Sequence, residues 1–444
     1  MFLVDSNLKN NNARNRRGRA GTPAESQHCH AAALDDSAVT APILTAAFFL
    51  VATTGVHLAS LAIAALRLRR APPGDARGFA DLPPVSLVRP LCGIDNFATD
   101  TLRSTFELNH PHCEILFCVA SAKDPVIPLI ETLMAEQPAA DARLLVGDER
   151  VSNNPKLNNV LKGWRAARCD WIVLADSNVL VPPDYMERLF ASWRADTGLV
   201  ASPPIGSQPH SVWAELECAF LNTYQARWQY IADAFGFGFA QGKTMLWRRA
   251  DLDRAGGIEV LAREVAEDAA ATKVVRDAGR KVQLVDRPFP QPLGYRSAAE
   301  VWHRQVRWAR LRRASFFAYF LPEAVSGGVL PMIALAAVAP ALGLPLMPTI
   351  LLFGVLWYAA ETLLAAVAGW HISARYPLIC LLRDALLPVL FVSALQGDDF
   401  VWRGNEMQVE RLRPHGMMAR MRPRLAEVAP RARQRLRSLR ERMS

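Results

Sequence analysis

The sequence predicts an α/β domain with a largely parallel sheet, joined to segments that enter a membrane. Between residues 80 and 320, short apolar runs alternate with helical stretches, which is the pattern of strands connected by crossover helices. Apolar segments long enough to reach into a bilayer lie on both sides of this region. A soluble domain held at a membrane surface is therefore the expected architecture.

The first 40 residues form a polar leader that we expect to be disordered. The leader is rich in Asn and Arg, and such a composition buries too little apolar surface to fold alone. His28-Cys29-His30 offers metal-ligating side chains, but a disordered segment is the favoured interpretation here. The seven cysteines of the chain follow no regular spacing, which indicates a reducing compartment and no zinc module.

The segment Ala41 to Leu66 is predicted to be a transmembrane helix. It runs for 26 residues without Asp, Glu, Lys or Arg, which is long enough to cross a bilayer with some tilt. It is too long, and begins too late, for a cleaved signal peptide. Arg67, Arg69 and Arg70 follow it, whereas the nearest charges before it are acidic. The positive-inside rule therefore places residue 67 onward in the cytosol.

Four apolar runs after residue 80 are the predicted strands. In parallel α/β sheets, ligands bind beyond the carboxyl ends of the strands, so the polar residues that follow each run are candidates for a site. The strands are Val85 to Leu91, Glu114 to Ala120, Ala142 to Val146 and Trp171 to Ala175, and the helices between them include Asn96 to Leu108 and Val126 to Glu136.

Two aspartates and a lysine follow these strands. Asp124 comes after the second strand and Asp176 directly after the fourth, where a carboxylate can hold a divalent cation against phosphate oxygens. A single Asp after a strand is more often a turn or helix cap. Lys156, in Asn154-Pro155-Lys156-Leu157-Asn158-Asn159, and the backbone amides around it suit a diphosphate. The three residues together therefore shift the balance from turns and caps toward a site for a divalent cation and a diphosphate.

Other nucleotide-binding classes have no support in the sequence. No Gly-x-Gly-x-x-Gly motif follows the first strand and no Walker loop is present, which argues against a dinucleotide oxidoreductase and a phosphate-loop ATPase. The glycine-rich, aromatic run from Phe235 to Lys243 either lets backbone approach a sugar or lipid or is a strand with glycines at bulges. Trp213 to Tyr230 is predicted to be an amphipathic helix that belongs to the core or faces lipid.

The pentapeptide Arg304-Gln305-Val306-Arg307-Trp308 lies 36 positions after the acidic pair Glu267-Asp268. Two guanidinium groups beside an indole, downstream of a carboxylate, are suited to neutralising a diphosphate leaving group near a lipid acceptor. Taken alone, the pentapeptide is slightly more typical of a basic amphipathic segment on anionic lipid, since three more arginines follow it by residue 313.

Three apolar segments follow the soluble domain: Val325 to Leu344, Met347 to Gly369 and Leu378 to Leu395. Residues 401–444 carry twelve Arg and four Glu, a net charge of +8 out of the total of +9, so the basic balance indicates a membrane surface and excludes a nucleic-acid partner. Such a tail belongs in the cytosol, yet three crossings would place it outside. We therefore expect one segment to be re-entrant or interfacial, and favour Leu378 to Leu395 because it contains Arg383, Asp384 and Pro388.

In this order the motifs resemble those of the ceramide glucosyltransferases, and most of all the bacterial members of that family. The resemblance covers about residues 80 to 410 and rests on six ordered motifs, which makes it specific. The matching stretches are Val85 to Leu91, Cys118 to Pro125, Asn154 to Asn159, Ala175-Asp176-Ser177, Ala266-Glu267-Asp268 and Arg304 to Trp308, with Val401 to Gly404 as a later match.

The resemblance implies a nucleotide-sugar domain of the GT-A fold and an inverting hexosyltransferase that moves glucose from UDP-glucose to the primary hydroxyl of ceramide. By resemblance, Asp124 lies at the nucleotide, Asp176 at the metal and diphosphate, and Asp268 acts as the catalytic base at the acceptor. Arg304, Arg307 and Trp308 complete the donor site, with Lys156. Glu267 is the rival base.

The implied cofactor is a divalent cation, Mg²⁺ or Mn²⁺, at Asp176. Related sugar-nucleotide transferases often have Asp-x-Asp at this point, whereas this chain has Asn178 as the third residue, so only one strong anionic ligand is present. Alternative acceptors are diacylglycerol or a hopanoid, and alternative functions are a processive polysaccharide synthase and a non-catalytic membrane scaffold. The expected location is a bacterial inner membrane, with the catalytic domain in the cytosol.

Overall fold

In the computed structural model of the protein, the described residues are 24–69, 82–402 and 405–408. The strands are β1 Val85–Leu91, β2 Cys113–Val119, β3 Ala142–Val146, β4 Trp171–Ala175, β5 Thr197–Ala201, β6 Ile205–Pro209, β7 Thr244–Arg248, β8 Lys281–Leu284, β9 Pro290–Gly294, β10 Asp399–Trp402 and β11 Asn405–Gln408.

The helices begin before the sheet and continue after it. They are α1 Ala24–Leu68, α2 Ala98–Arg103, α3 Ile127–Glu136, α4 Pro155–Ala166, α5 Tyr185–Ala191, α6 Val212–Ala219, α7 Arg227–Ala234, α8 Arg249–Arg254, α9 Glu267–Asp277, α10 Ala298–Ser315, α11 Phe317–Phe320, α12 Val329–Ala341, α13 Leu346–Ala368 and α14 Tyr376–Leu395.

A seven-stranded sheet in the order β3-β2-β1-β4-β7-β5-β8 forms the centre of the soluble domain. All four predicted strands are present, and three of them have the predicted bounds. They are recognisable in the sequence because β1, β2 and β4 are buried on both faces and so form nearly continuous apolar runs, interrupted by Ser86, Arg89 and Glu114. The predicted α/β class is confirmed.

One strand runs against the others, and its direction matters for the site. β7 is antiparallel to both β4 and β5, so its first residue lies at the edge where β4 ends. Thr244 pairs with Ala175, and the Lys243 carbonyl accepts a hydrogen bond from the Asp176 N–H at 3.0 Å. Two residues 67 positions apart are thereby fixed side by side.

Two open interpretations of the sequence are now decided. The run from Phe235 to Lys243 contains no strand, so the strand interpretation was wrong. The segment Trp213 to Tyr230 is helical throughout, with a π-helical turn at Phe220–Ala226 between α6 and α7. Every residue from Ala214 to Tyr224 is buried, so this helix belongs to the core.

The end of α1 is built into the soluble domain. Leu61 and Ala64 belong to the same buried cluster as Val88 and Leu174 of the sheet. Arg67 pairs with Asp233 and, at 2.8 Å, with Asp286, and it donates to the Leu284 carbonyl at 2.6 Å. The basic end of the helix is therefore fixed to the soluble domain.

Three helices in the described ranges of the chain are long and apolar enough to cross a membrane: Thr40–Leu68, Leu346–Ala368 and Tyr376–Leu395. A fourth candidate is the pair Phe317–Val325 and Val329–Ala341, which is bent by 45°. The prediction was one N-terminal and two to three C-terminal membrane segments, and one N-terminal and two C-terminal segments are confirmed as candidates by length and composition.

The two ends of the chain differ from the sequence-based expectation where they are described. Residues 24–40, predicted to be part of a disordered leader, belong to α1. Residues 1–23, most of the basic tail and Gly404 lie outside the described residues. The described part of the tail pairs as the hairpin of β10 and β11.

Candidate active site

A cavity of about 740 Å³ opens at the edge of the sheet where β1, β2 and β4 end. Its size is in the usual range for a small-molecule site. The loops after these three strands line it, together with the start of α4, the start of α9 and one face of α10. All seven predicted site residues line this cavity: Asp124, Lys156, Asp176, Asp268, Arg304, Arg307 and Trp308.

A fully buried arginine beneath the cavity holds the loop that follows β4. The Arg89 guanidinium donates to the carbonyls of Asp176 at 2.7 Å, Ser177 at 3.1 Å and Val179 at 2.8 Å. Its other nitrogen donates to Thr101 of α2 at 2.8 Å. The loop that carries Asp176 is thus fixed from below, which positions its carboxylate for binding.

The Asp176 carboxylate lies between two ammonium groups. Lys156 Nζ is 2.6 Å from Oδ1, and Lys243 Nζ is 2.8 Å from Oδ2. Burial alone would raise the pKa of Asp176, but the two lysines hold the pKa of this carboxyl well below its usual range. Asp176 is therefore an anion at any physiological pH.

Lys156 connects Asp176 to a second carboxylate. Its ammonium group is 2.7 Å from Glu267 Oε1 and also donates to the Gly242 carbonyl. Burial opposes the charged form, but Asp176 and Glu267 together raise the pKa of Lys156 above its ordinary value. Lys156 is a permanent cation at the centre of the cavity.

The backbone amides near Lys156 have another role than the predicted one. The Asn154 side chain caps α4 by accepting from the N–H groups of Lys156 at 2.9 Å and Leu157 at 3.1 Å. These two amides are therefore engaged by the cap, so the expectation that they bind a diphosphate was wrong. The Lys156 side chain lines the cavity, where its charge can act on a diphosphate.

The two acidic residues at the start of α9 have different partners. Both Glu267 oxygens are engaged, one by Lys156 and the other by Asn154 Nδ2 at 2.8 Å. Within the described part of the chain, Asp268 accepts from backbone N–H groups alone, those of Gly242 at 3.0 Å and Ala269 at 2.8 Å. Burial, reinforced by the charge of Glu267, raises the pKa of Asp268 to about 6. Asp268 is thus the better placed to take up a proton near neutral pH.

Gly242 allows these groups to meet. A Cβ at this position would lie 2.7 Å from Glu267 Oε1 and 2.9 Å from Lys156 Nζ. Its N–H donates to Asp268 and its carbonyl accepts from Lys156. The glycine-rich run therefore brings backbone into the cavity, which was one of its two sequence-based interpretations.

The pentapeptide lies in the middle of α10, and its residues divide between two roles. Arg304 is 2.5 Å from Glu217 Oε1 of α6, a carboxylate with no exposed surface. Arg307 and Trp308 line the cavity, and Trp308 also packs against Ala214 and other apolar side chains of α6. A buried acid thus anchors one arginine, and the helix presents the other to the cavity.

Asp124 lies at the opposite side of the cavity and fixes the β1–α2 loop. Its two oxygens accept from the Gly93 N–H at 3.0 and 3.1 Å, and one of them also accepts from Val126 at 3.0 Å. Asp124 acts as a turn residue and not as a helix cap, because Val126 is the N-cap of α3 and has no side-chain cap. Because Asp124 also lines the cavity, the turn and a nucleotide contact are compatible.

Aromatic side chains line the cavity at the end that approaches the membrane segments. Phe239 and Phe316 lie on this wall, and the ring of Tyr319 is 6.1 Å from one and 6.0 Å from the other. Phe235 and Phe237, on the loop beside them, are exposed. One end of the cavity is therefore charged and the other is apolar.

A divalent cation beside Asp176 does not fit the side chains as they are arranged. Both Asp176 oxygens are paired with lysines, and Asn178 Oδ1 accepts from Lys243 at 3.0 Å. Among the described residues, no group of three or more His, Cys, Asp or Glu side chains could hold a metal ion. An ion at this position would have to displace Lys243.

Two site residues were missed by sequence reasoning. Lys243 was included in the glycine-rich run without a role, and Glu217 was not singled out. Each acts across the fold, on Asp176 and Arg304 respectively. Their sequence signal is weak: Lys243 is a lysine before an apolar strand, and Glu217 is one of two glutamates in a mostly apolar helix.

The chain is similar to known glycosyltransferases over most of its length. Residues 51–413 match the model of glycosyl transferase family 21. Ceramide glucosyltransferase 3 of Caenorhabditis elegans is 26% identical over 360 residues, which cover 79% of this chain and 77% of that protein. Ceramide glucosyltransferase 1 of the same organism is 25% identical, with 74% and 72% covered.

Among solved structures, the chain is similar to the mannosyltransferase PcManGT from Pyrobaculum calidifontis, in complex with GDP-Man and Mn²⁺. The identity is 17% and the TM-score 0.43, with 78% of this chain and 96% of that chain covered.

Proposed function

The chain belongs to glycosyl transferase family 21, and we propose that it transfers glucose from UDP-glucose to the primary hydroxyl of ceramide, with inversion at the anomeric carbon. The relatives named as ceramide glucosyltransferases support this donor and acceptor. The protein is a hexosyltransferase, and the proposal concerns which sugar it moves and onto which lipid.

One observation carries the proposal. Asp268, the carboxyl whose pKa is raised to about 6, lines the same cavity as Lys156 and Arg307. A base near neutral pKa beside cations that accept an anionic leaving group is the arrangement that a displacement at a sugar carbon requires. The apolar wall with Phe239 and Phe316 supports a lipid as the group that supplies the hydroxyl.

The proposed reaction is one displacement. The acceptor oxygen attacks the anomeric carbon from the face opposite the diphosphate, while Asp268 takes the hydroxyl proton. The bond between the anomeric carbon and the diphosphate oxygen breaks, and UDP leaves with the bonding electron pair. Lys156, Arg304 and Arg307 stabilise the negative charge that develops on the diphosphate.

The remaining site residues bind and orient the donor. We assign Asp124 to the nucleotide, because it fixes the loop after β1 at the far side of the cavity. Trp308 completes the donor wall from α10. A divalent cation, Mg²⁺ or Mn²⁺, was expected at Asp176 and would supply further charge neutralisation. Asp176, the carboxylate that would bind this cation, is already paired with Lys156 and Lys243, so the proposed reaction has no metal-dependent step.

The lipid acceptor is proposed to enter from the membrane side, between the end of α10 and the loop that carries Phe235 and Phe237. Both phenylalanines are exposed, although burying such rings against acyl chains would stabilise them by about 1.5–3 kcal/mol each. A hydroxyl at the lipid headgroup would then reach Asp268 while the chains remain in apolar surroundings.

We propose that three segments cross the membrane: α1, the bent pair Phe317–Val325 and Val329–Ala341, and α13. We propose that α14, although long and apolar enough to cross, lies along the membrane surface. α1 packs against both α12 and α13. Both ends of α14 contact the soluble domain: Arg375, just before it, is 2.9 Å from Glu215, and Leu395 accepts from Arg313 at 3.4 Å. A helix tied at both ends to one domain does not cross.

The side-chain pattern of α14 supports the same placement. One face is buried against α6 and α10, including the paired Arg383 and Asp384. The other face carries an exposed apolar stripe, which is suited to lipid. The exposed residues of this stripe are Leu378, Leu382, Val389, Val392 and Leu395.

With three crossings, the catalytic domain and the basic tail both lie in the cytosol, and the location is proposed to be a bacterial inner membrane. A green fluorescent protein fused to the C-terminus should then fluoresce in a bacterial host, whereas one inserted after Gly343, between α12 and α13, should not. A dark C-terminal fusion that is nonetheless expressed would contradict this topology.

Purified protein incubated with radiolabelled UDP-glucose and ceramide in mixed micelles tests the function. We expect labelled glucosylceramide, identified by lipid mass spectrometry. Parallel incubations with diacylglycerol and with a hopanoid test the alternative acceptors, and other UDP-sugars test the donor. If no lipid is labelled from any sugar nucleotide, the non-catalytic scaffold becomes the better interpretation.

A further inference from the structure

We propose that the ammonium group of Lys243 occupies the place of the divalent cation beside Asp176, so that donor binding in this protein requires no metal ion. The inference rests on the proposed use of a sugar-nucleotide donor. Lys243 then joins the residues that bind the diphosphate. Its positive charge replaces that of a metal ion, which makes the metal dispensable.

The contacts of Lys243 are those that a cation would make. Its Nζ is 2.8 Å from Asp176 Oδ2 and 3.0 Å from Asn178 Oδ1. These are the first and third positions of the motif in which related transferases often have two aspartates. Lys156 covers the other oxygen of Asp176 at 2.6 Å, so the carboxylate has a cationic partner on both sides.

The charge balance of the motif is preserved. Two aspartates with one divalent cation sum to zero, and Asp176 with neutral Asn178 and the single positive charge of Lys243 also sum to zero. The loss of one carboxylate is thus matched by exchange of a dication for a monocation. Because the Lys243 ammonium contacts both Asp176 and Asn178, neither side chain is open to a divalent ion, whose other oxygen ligands would come from water and the diphosphate.

The position of Lys243 is fixed by the sheet. Its carbonyl accepts from the Asp176 N–H at 3.0 Å, and the next residue, Thr244, pairs with Ala175 across β4 and β7. The side chain therefore starts from a rigid strand edge beside its partners. It lines the cavity, where its ammonium group is presented to an incoming diphosphate.

The test uses the full-length protein in detergent micelles and measures binding instead of turnover. UDP binding is followed by calorimetry in EDTA and in Mn²⁺, and Mn²⁺ binding without nucleotide is followed by electron paramagnetic resonance. Lys243→Met removes the charge and keeps the length. Lys281→Met is the matched control, because Lys281 pairs at 2.6 Å with Asp196 on the surface.

We expect the wild type and Lys281→Met to bind UDP equally well in EDTA and in Mn²⁺. Lys243→Met should bind UDP roughly tenfold or more weakly in EDTA, since a charge-assisted contact is lost. Mn²⁺ should restore this affinity, because Asp176 and Asn178 are then open to the ion. Asp176→Asn in the Lys243→Met background should abolish the rescue.

Two results would overturn the proposal: a wild type that binds UDP only with Mn²⁺, or a wild type that binds Mn²⁺ alone as tightly as Lys243→Met does. The first result is measured on the wild type alone, so it would overturn the proposal even if Lys243→Met fails to fold. The Mn²⁺ measurement needs no nucleotide, so it decides the role of Lys243 even if UDP-glucose is not the donor.

Discussion

Two clusters of buried charge in this protein are built from similar residues and differ in what they face. The cavity cluster comprises Lys156, Asp176, Lys243, Glu267 and Asp268, and all five line the cavity. The helix cluster is enclosed where α1, α7, α13 and α14 meet, and each of its residues is at most 3% exposed. Its members are His57, Arg227, Glu361, Arg383 and Asp384.

The helix cluster acts as a structural joint. Arg383 of α14 is 2.9 Å from Glu361 of α13 and 2.6 Å from Asp384. Arg227 of α7 donates to His57 of α1 at 3.2 Å. These contacts tie the membrane segments to the soluble domain. A dense set of paired charges therefore does not by itself identify an active site. Such a set indicates a site when its side chains also line a cavity, as those of the cavity cluster do.

The largest expected effect concerns the base of the cavity cluster. Asp268→Asn keeps an oxygen that accepts from Gly242 but cannot take the acceptor proton. Turnover should fall by about two to four orders of magnitude, the usual contribution of a general base, with UDP binding nearly unchanged. Steady-state kinetics and calorimetry on the same preparation measure both.

Asp253→Asn, an identical change on the exposed surface of α8, is the control and should leave both quantities unchanged. If Asp268→Asn retains turnover, then Asp268 is not the base. Glu267 would then be the next candidate, although both of its oxygens are occupied.

Substitutions in the helix cluster should lower the stability of the protein and leave its turnover unchanged. Arg383→Met leaves Glu361 and Asp384 without their main partner, and breaking a buried pair costs about 3–5 kcal/mol. We expect a large drop in the thermal midpoint in detergent, with the turnover of the fraction that remains folded preserved. Selective loss of turnover at unchanged stability would instead assign this cluster to catalysis.

A surface pair is the appropriate control for Arg383. Arg103 and Glu136 are 2.9 Å apart and each is about half exposed. Because exposed ion pairs contribute only about 0–1 kcal/mol, Arg103→Met should hardly change the thermal midpoint. Both variants break a charge pair, but only Arg383→Met breaks a buried one. A difference between their thermal midpoints would therefore show that burial, and not pairing alone, determines the loss of stability.

Much of the fold was predictable, because buried parallel strands are nearly continuous apolar runs and the sites of such sheets follow their carboxyl ends. Asp124 and Asp176 were found in this way. The direction of β7 was not predictable from local pattern, since Thr244–Arg248 has no periodicity that distinguishes antiparallel pairing. The contacts of Lys243 with Asp176 and of Glu217 with Arg304 depend on such long-range placement, so they became visible only in the structure.

The next effect distinguishes two arginines of α10. Arg307 lines the cavity, whereas Arg310 donates to the carbonyls of Ser393 and Asp399 at the end of α14. Arg307→Ala should lower turnover by roughly ten- to a thousandfold, because a stabiliser of the leaving diphosphate is lost. Arg310→Ala should leave turnover per folded molecule nearly unchanged. If the two variants have equal kinetics, the pentapeptide is better interpreted as a basic segment that lies on the membrane surface.

The smallest effect is a pH dependence that the cavity cluster should have. Burial, aided by the charge of Glu267, raises the pKa of Asp268 to about 6, so the carboxylate that acts as base is protonated below that pH. Turnover should therefore be level near neutral pH and fall about tenfold for each unit below pH 6. In Glu267→Gln the neighbouring negative charge is gone, so the inflection should move to lower pH. A profile that stays level from pH 7 to pH 5 would mean that the proton is taken by a group other than Asp268.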